Sequence, residues 1–173
     1  SYAFAYCDGI DTVILPDVLV TIGDYAFFNC ASLTSVTIPD GVQSIGQNAF
    51  QSCTSLSSVA MSEGVQTIGQ YAFADCTALT SFTVPDSVQS IGYNSFGGCS
   101  ALEELTLPFV GETESSNTFF SYLFGGSQQS SGYVPESLKT VTVTKDTTLS
   151  EYAFYRLNLQ TVNLPEGLTG IGS

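Results

Sequence analysis

The sequence predicts a solenoid built from short coils, and two regularities in the residue order carry this prediction. A strand-like element of alternating apolar residues, usually ended by proline, occurs seven times along the chain. Phenylalanine and cysteine also recur with a constant spacing of 23 residues. A fixed period of about 20 to 50 residues is the signature of a repeat architecture, in which each unit buries its core against its neighbours. The two columns are Phe4, Phe27, Phe50, Phe73, Phe96 and Cys7, Cys30, Cys53, Cys76, Cys99.

Each coil divides into parts that follow one another in a fixed order. The stretch LTSVTIP (33–39) alternates apolar and polar residues before a proline, which predicts a short strand with a defined end. A turn follows, and VQSIG (42–46) is a second short extended piece. The motif A-F-x-x-C is too short for a regular helix and indicates one helical or 3-10 turn. Because every coil runs the same way, strands of successive coils lie parallel, about 4.8 Å apart.

Composition limits the class of partner. Hydrophobic residues make up 43% of the 173 residues, enough for a sizeable core, and no apolar run is long enough to span a membrane. Sixteen residues are acidic, only three are basic, and histidine is absent. Nucleic acids and anionic membrane surfaces require a basic footprint, so we expect neither as a partner. The acidic composition is compatible with a metal ion or a cationic partner. The basic residues are Lys139, Lys145 and Arg156.

The period also predicts the domain organisation. The chain opens on SYAFAYC and closes on LTGIGS, and both stretches lie within the repeat pattern. We therefore expect residues 1–173 to form a single solenoid that is a segment of a longer protein, and the segment itself contains no signal peptide. The period is interrupted once, by an insertion within 109–137.

The cysteine column predicts buried structural thiols. Cysteine is small and often fully buried, and Cys76 lies three residues before Leu79, a core position of its coil. A disulfide between adjacent coils is one alternative, although stacked side chains point the same way rather than at each other. A metal site or a nucleophile is another, and it lacks support because the chain contains no histidine.

The repeat resembles the BspA-type leucine-rich repeat. The stretches that carry the resemblance are LTSVTIPDGVQSIGQNAFQSC (33–53) and LTSFTVPDSVQSIGYNSFGGC (79–99). The resemblance implies a right-handed leucine-rich-repeat solenoid of the α/β class, rich in β structure. It places a parallel sheet of about seven short strands on the concave side, with short extended pieces and single helical or 3-10 turns on the convex side. It also implies a cell-surface or secreted, extracellular setting in bacteria or some protozoa, with binding to host proteins or other cells.

The insertion supplies the first candidate binding residues. Register assigns Phe119 to the place of the repeated isoleucine and Phe124 to the core phenylalanine column. Loops carry binding function disproportionately often, so the remaining aromatic residues are candidate contacts. The alternative is a flexible linker, because GGSQQSSG (125–132) has that composition. The aromatic residues that no core column explains are Phe109, Phe120, Tyr122 and Tyr133.

The outward positions of the main strands supply the second candidate site. They form a broad surface of hydroxyl groups with Glu104 as its one charged residue, which suits protein docking. The alternative is ordinary solvated surface, because the columns offer no aromatic or arginine anchor. The two columns are Thr12, Ser35, Ser58, Ser81, Glu104, Thr140, Thr161 and Ile14, Thr37, Ala60, Thr83, Thr106, Thr142, Asn163.

Two further columns are interpreted as structural. A tyrosine or asparagine precedes the A-F pair in every coil, which is more typical of packing at a loop edge than of binding. An acidic residue follows the strand in four coils, and we interpret each as a cap of its own turn that accepts backbone N–H bonds. Calcium binding by these carboxylates is the alternative. The acids are Asp17, Asp40, Glu63 and Asp86.

These observations together predict a non-catalytic interaction module without a cofactor. The absence of histidine removes the usual serine or cysteine dyads and the usual zinc sites. We expect the module to bind another protein through the concave face and the insertion, in adhesion to a host or to another cell. A structural spacer that holds other domains off the cell surface and a carbohydrate-binding module are the alternatives. Exposed aromatics clustered beside the strands would favour binding, whereas scattered or buried ones would favour the spacer.

Overall fold

The computed structural model describes residues 1–113, 119–127 and 133–172, and these residues form a β-solenoid of about seven coils. The predicted fold class is confirmed, since parallel strands repeat along the chain with almost no helix. Each coil contributes one main strand, and strands are numbered in chain order. The main strands are β1 (Thr12–Val13), β3 (Ser35–Ile38), β5 (Ser58–Met61), β7 (Ser81–Thr83), β9 (Glu104–Leu107), β10 (Thr140–Val143) and β12 (Thr161–Asn163).

A second set of strands, each two residues long, contains the predicted extended pieces. In four successive coils these strands end on the repeated isoleucine, whose side chain is buried against the core. They pair in parallel, as four neighbouring strands and as one further pair near the end of the chain. The second strands are β2 (Thr21–Ile22), β4 (Ser44–Ile45), β6 (Thr67–Ile68), β8 (Ser90–Ile91), β11 (Thr148–Leu149) and β13 (Gly170–Ile171).

The main strands pair in the register that the sequence period predicts. Strand β3 lies parallel to β5, with Val36 opposite Val59 and Ile38 opposite Met61. The seven strands belong to two sheets, one in the order β1-β3-β5 and the other in the order β7-β9-β10-β12. The row of main strands is therefore divided between β5 and β7.

The A-F-x-x-C stretches form a third connection between coils. The backbone N–H of Phe27 donates to the carbonyl of Ala49 in the next coil at 2.8 Å. Tyr25, just before this segment, and Asn29, within it, have left-handed backbone with φ of 57°. In the described residues, a 3-10 helix is present only at Phe120–Phe124. In the regular coils, alternate backbone N–H groups of this stretch bond to the next coil, while those between them close turns within the coil, as from Phe28 to the carbonyl of Tyr25 at 3.2 Å. The expected single turn is therefore present, but with left-handed residues rather than as a 3-10 helix.

A stack of phenylalanine rings runs through the core. The rings of Phe50 and Phe73 are 5.3 Å apart and nearly parallel, and both side chains are fully buried. In the fourth coil Phe82 enters the stack, with its ring 4.8 Å from Phe73 and 4.9 Å from Phe96. The rings of Phe73 and Phe96 are accordingly 6.1 Å apart. Burying a side chain of this kind contributes about 1.5–3 kcal/mol, so the stack is a main source of stability.

The insertion contributes to the core rather than only to the surface. Phe109 is 1% exposed and Phe120 is 0% exposed, so both aromatics lie in the core although no core column of the repeat explains them. The backbone N–H of Val110 donates to the carboxylate of Asp146 at 2.8 Å, which holds the start of the insertion beside the segment after β10. The apolar side chains of the irregular coil are buried because the neighbouring coils would otherwise present open core surface to water.

The helix Phe120–Phe124 places two phenylalanines in the core, 5.4 Å apart between ring centroids. The ring of Phe124 lies 6.3 Å from Phe96, which confirms its predicted core position. The phenylalanine of the last coil, Phe154, packs against Phe120 instead, at 5.5 Å. The sequence period assigns one core phenylalanine to each coil, so it cannot predict whether Phe154 packs against Phe124 or against Phe120.

The position predicted for Phe119 is wrong. The backbone N–H of Ile91 donates at 2.8 Å to the carbonyl of Glu112, and Ser90 forms an antiparallel bridge with Thr113. Residues 112–113 therefore extend the second sheet beyond β8, and they do so with reversed direction. Phe119 lies partly exposed at the start of the 3-10 helix.

Candidate functional site

The outward side chains of the main strands form a surface that we call the main-strand face. In β3 the exposed and buried residues alternate, with Ser35 and Thr37 outside and Val36 and Ile38 inside. Both predicted outward columns lie on this face and are exposed or partly exposed in every coil. Near the end of the chain, the side-chain amide of Asn163 donates to the hydroxyl of Thr142 at 3.0 Å, which links neighbouring strands across the face.

The five predicted binding residues occupy three different settings. Phe109 and Phe120 are buried, so their side chains cannot contact a partner in this conformation. Tyr122 is half-buried, and its ring lies 5.5 Å from Tyr93 at an edge-to-face angle. Burial and then the neighbouring Glu112 carboxylate raise the pKa of the Tyr122 hydroxyl. Tyr133 and Glu104 are exposed, so these two remain candidate contacts.

The cysteines form the buried column that the spacing predicts. The five thiols are free, and those of Cys30, Cys53, Cys76 and Cys99 are buried. The Sγ of Cys53 donates to the carbonyl of Phe27 in the preceding coil at 3.2 Å. Burial raises the pKa of Cys53 and of Cys99 to about 12, and it also raises the pKa of Cys76 well above its usual value. Thiols in this state are protonated at neutral pH and are poor nucleophiles.

The four acids after the strands are exposed, and two of them bond across coils. The carboxylate of Glu63 accepts the backbone N–H of Ser87 in the next coil at 3.2 Å. Asp86 accepts the hydroxyl of Thr144 through its carboxylate and the Lys145 ammonium through its carbonyl. The expectation that each acid caps its own turn is thus wrong for these two residues. Across the described ranges, no three side chains of the metal-binding types are grouped closely enough to hold an ion.

Two structural features have only weak signals in the sequence. Asp146 is 1% exposed, and nothing in the repeat pattern marks it as the residue that holds the insertion. Left-handed backbone recurs just before and just after the A-F segment, for example at Tyr71 and Asp75. Asparagine and glycine adopt left-handed backbone more readily than other residues, so their occurrence at equivalent positions, as at Asn29 and Gly98, is the signal that could have indicated this conformation.

Exposed aromatic side chains lie away from the middle of the main-strand face. They belong to the first coil, to the insertion and to the last coil. In the first coil, Tyr2 stacks on Tyr25 with ring centroids 4.5 Å apart, so part of its surface is used for packing. The exposed aromatics are Tyr2, Phe4, Tyr6, Tyr133, Tyr152 and Tyr155.

The fold and this surface define a leucine-rich-repeat solenoid protein. The family described as "BspA type Leucine rich repeat region" matches residues 1–131 and 121–173 in six copies, and the chain belongs to that family. Proteins of this family are usually surface-associated and generally not enzymes. In the described part of the chain, no helix has the length and apolar character needed to cross a membrane.

Solved structures of bacterial leucine-rich-repeat proteins are similar to this chain. A leucine-rich repeat protein of T. pallidum is 25% identical, with a TM-score of 0.64, over 94% of this chain and 73% of that one. The pneumococcal vaccine antigen PcpA is 18% identical, with a TM-score of 0.70, over 95% of this chain and 42% of that one, which shows a shared fold. Curated proteins yielded no significant match.

Proposed function

We propose that the chain is a non-catalytic, extracellular interaction module that binds another protein through its main-strand face. The observation that carries the proposal is the row of outward side chains, exposed or partly exposed in every coil, on seven successive main strands from Thr12 to Asn163. Repeat proteins use extended surfaces of this kind to bind partners. Family membership supports a surface setting, because proteins of this family are usually surface-associated.

The dimensions of the face indicate which other residues a partner would contact. Seven strands of two to four residues, about 4.8 Å apart and about 3.3 Å long per residue, present roughly 400 Å². A stable interface needs about 800 Å² from each partner, so the partner must also contact the flanking turns. The exposed acids Asp40, Glu63 and Asp86 lie in those turns, directly after the strands. Residues 1–138 contain thirteen acidic residues and no basic one, which favours a partner with a positively charged contact surface.

Arginine substitutions on and off the face test this proposal. The double variant Thr37→Arg/Thr83→Arg places two bulky cations on β3 and β7 of the face. The control Gln43→Arg/Gln89→Arg makes the same charge change at exposed positions that precede the second strands. A partner isolated from candidate host or cell-surface material should bind the control as tightly as the unaltered chain and bind the face variant much more weakly. Equal affinity for both variants would exclude the face as the site.

A structural spacer is the second candidate function. The observation that favours it is the distribution of exposed aromatics, which lie in the first coil, in the insertion and in the last coil rather than as a cluster on the main-strand face. The outward columns of the main-strand face contain no aromatic residue on which a sugar ring could stack, so this face does not favour carbohydrate binding. For a spacer, removal of this segment from the full-length protein should shorten the reach of its neighbouring domains without loss of any binding partner.

A further inference from the structure

The division of the main strands between β5 and β7 is a local interruption of an otherwise regular contact. At five of the six coil interfaces, the residue before or at the start of a main strand donates its backbone N–H to the preceding coil. Ser57 donates to Thr34 at 3.0 Å and Glu103 donates to Thr80 at 2.8 Å. The equivalent bond would join Thr80 to Ser57, and it is absent although both residues are within the described ranges. The other donor–acceptor pairs are Thr34–Asp11, Lys139–Glu103 and Gln160–Lys139.

Burial shows the same interruption independently of hydrogen bonding. In the coils between the first and the last, the inward side chains of the main strands are at most 3% exposed, with two exceptions. The exceptions are Val59 and Met61, both on β5 and both partly exposed. Their equivalents one coil earlier, Val36 and Ile38, are 2% and 1% exposed. The gap between β5 and β7 therefore gives solvent access to apolar side chains in the middle of the solenoid.

Two sequence changes coincide with the gap. Phe82 on β7 occupies a column that holds valine or leucine in the other coils, and its ring packs against the sides of both Phe73 and Phe96. Ser62 replaces the proline that follows the strand in most coils, and its hydroxyl oxygen is buried without a hydrogen-bond partner. The turn bond from Val65 N–H to the Ser62 carbonyl is 3.4 Å, compared with 3.0 Å for the bond from Val42 to Pro39.

The same two coils remain joined on their other sides. Strands β6 and β8 pair in parallel, and the N–H of Phe73 donates to the carbonyl of Ser95 at 2.9 Å. On the main-strand side, side-chain bonds close the two ends of the gap. The hydroxyl of Thr77 donates to the backbone carbonyl of Thr54 at 3.3 Å, and the hydroxyl of Ser87 donates to the backbone carbonyl of Val65 at 2.7 Å. Single hydrogen bonds contribute about 0.5–1.5 kcal/mol each, which is less than a continuous ladder provides.

We propose that the main-strand sheet opens and closes at the β5–β7 gap, so that the main-strand face consists of two halves that move relative to each other. One half carries β1, β3 and β5, and the other carries β7, β9, β10 and β12. The backbone ladders on the other two sides act as the axis of this motion, and the Thr77 and Ser87 hydroxyls limit its amplitude. The inference does not depend on the proposed function, because the motion would exist in the isolated chain.

Nitroxide pairs on the face test the opening directly. The test pair replaces Ser58 and Ser81, which lie on either side of the gap, with labelled cysteines. One control pair carries labelled cysteines in place of Ser35 and Ser58, and the other in place of Ser81 and Glu104. Each control pair spans two hydrogen-bonded strands and shares one position with the test pair. All labelled variants carry Cys7→Ser, since Cys7 is the one native thiol that is not fully buried. Circular dichroism confirms that each labelled protein is folded.

We expect strong and uniform dipolar broadening in both control pairs, and weaker broadening with a wider distribution of distances in the test pair. Ser87→Ala should widen the test distribution further. Ser57→Ala, which removes a similar hydroxyl bond from Ser57 to Thr34 at a paired interface, should leave the Ser35/Ser58 control pair unchanged. Broadening as strong and uniform at 58/81 as in the controls would overturn the proposal. A longer but equally narrow distance would do so too, because it would mean a fixed gap.

Discussion

The thiol of Cys76 donates a hydrogen bond to the backbone carbonyl of Phe50, 26 residues earlier and one coil away, with a sulfur–oxygen distance of 3.3 Å. The same relation joins Cys53 to Phe27 and Cys99 to Phe73. Each cysteine thus satisfies a carbonyl of the preceding coil while its small side chain occupies the interior. This explains why a residue type with reactive chemistry recurs in every regular coil without any catalytic neighbour.

Thiol labelling should therefore separate Cys7 from the other cysteines. In the native chain, a neutral alkylating reagent at pH 7.5 should modify Cys7 first, because it is only partly buried, whereas the four buried thiols stay protonated and shielded. Mass spectrometry of timed samples would report the number of modified thiols. A denatured sample provides the control for full reactivity. Modification of most cysteines at the same rate in both samples would contradict the buried column.

Stability should fall at alkaline pH because the buried thiols resist ionisation. The pKa of Cys53 and of Cys99 is about 12 in the folded chain, raised by burial, whereas an unfolded thiol ionises near pH 8.5. Below pH 8.5 both states are protonated and the full stability is present. Between about pH 9 and 12 only the unfolded state loses its protons, so the free energy of unfolding decreases, by at most about 1.4 kcal/mol per pH unit for each thiol.

Denaturant unfolding at pH 7, 9, 10 and 11 would measure this decrease. The double variant Cys53→Ala/Cys99→Ala is the control, because tyrosine ionisation affects it equally. It should be less stable than the unaltered chain at pH 7 but should lose stability less steeply above pH 9. Parallel pH dependence of the two proteins would show that thiol ionisation is not the cause.

Phe73→Ala should lower the free energy of unfolding by about 3–5 kcal/mol. The side chain is fully buried, and its ring contacts those of Phe50, Phe82 and Phe96. Phe4→Ala is the matched control in the same column, because Phe4 is 44% exposed and stacks on one ring only. We expect a loss less than half as large for the control, measured by urea unfolding. Equal losses would mean that position along the stack does not determine its contribution.

Left-handed backbone at Ser52, with φ of 62°, makes this position sensitive to side-chain shape. Ser52→Gly should be neutral or stabilising, since glycine adopts this conformation without steric cost. Ser52→Val should destabilise by roughly 1–2 kcal/mol, because a β-branched side chain clashes there. Ser35→Val, at an exposed and extended position of β3, should change stability by no more than about 0.5 kcal/mol. Similar effects of valine at both sites would contradict a conformational origin.

The aromatics of the insertion should separate into core and surface residues. Phe120→Ala should cost about 3–5 kcal/mol, because its ring is fully buried between Phe124 and Phe154. Tyr133→Ala should change stability by less than about 0.5 kcal/mol, since Tyr133 is 62% exposed. Thermal unfolding of both variants is the measurement. A Phe120→Ala protein as stable as the unaltered chain would restore the surface interpretation of that residue.

Part of the architecture follows from the period alone. Identical spacing places equivalent residues in neighbouring coils, so Val36 must lie beside Val59 and Cys53 beside Cys76 in any regular solenoid. Alternation within LTSVTIP determines which side chains point inward, as the burial of Val36 and Ile38 confirms. The predicted fold class, the core columns and the main-strand face all depend on this local and periodic information.

The tertiary structure decided what the period does not describe. The side chains of Phe109 and Phe120 belong to a coil without a regular register, so their burial depends on how neighbouring coils leave space for them. The partners of Glu63 and Asp86 lie in other coils, and only the three-dimensional path brings Thr144 and Lys145 to Asp86. The gap between β5 and β7 likewise coincides with the packing of Phe82 against Phe73 and Phe96, which the period does not describe. A repeat pattern determines average positions, whereas packing volume and long-range hydrogen bonds determine the departures from them.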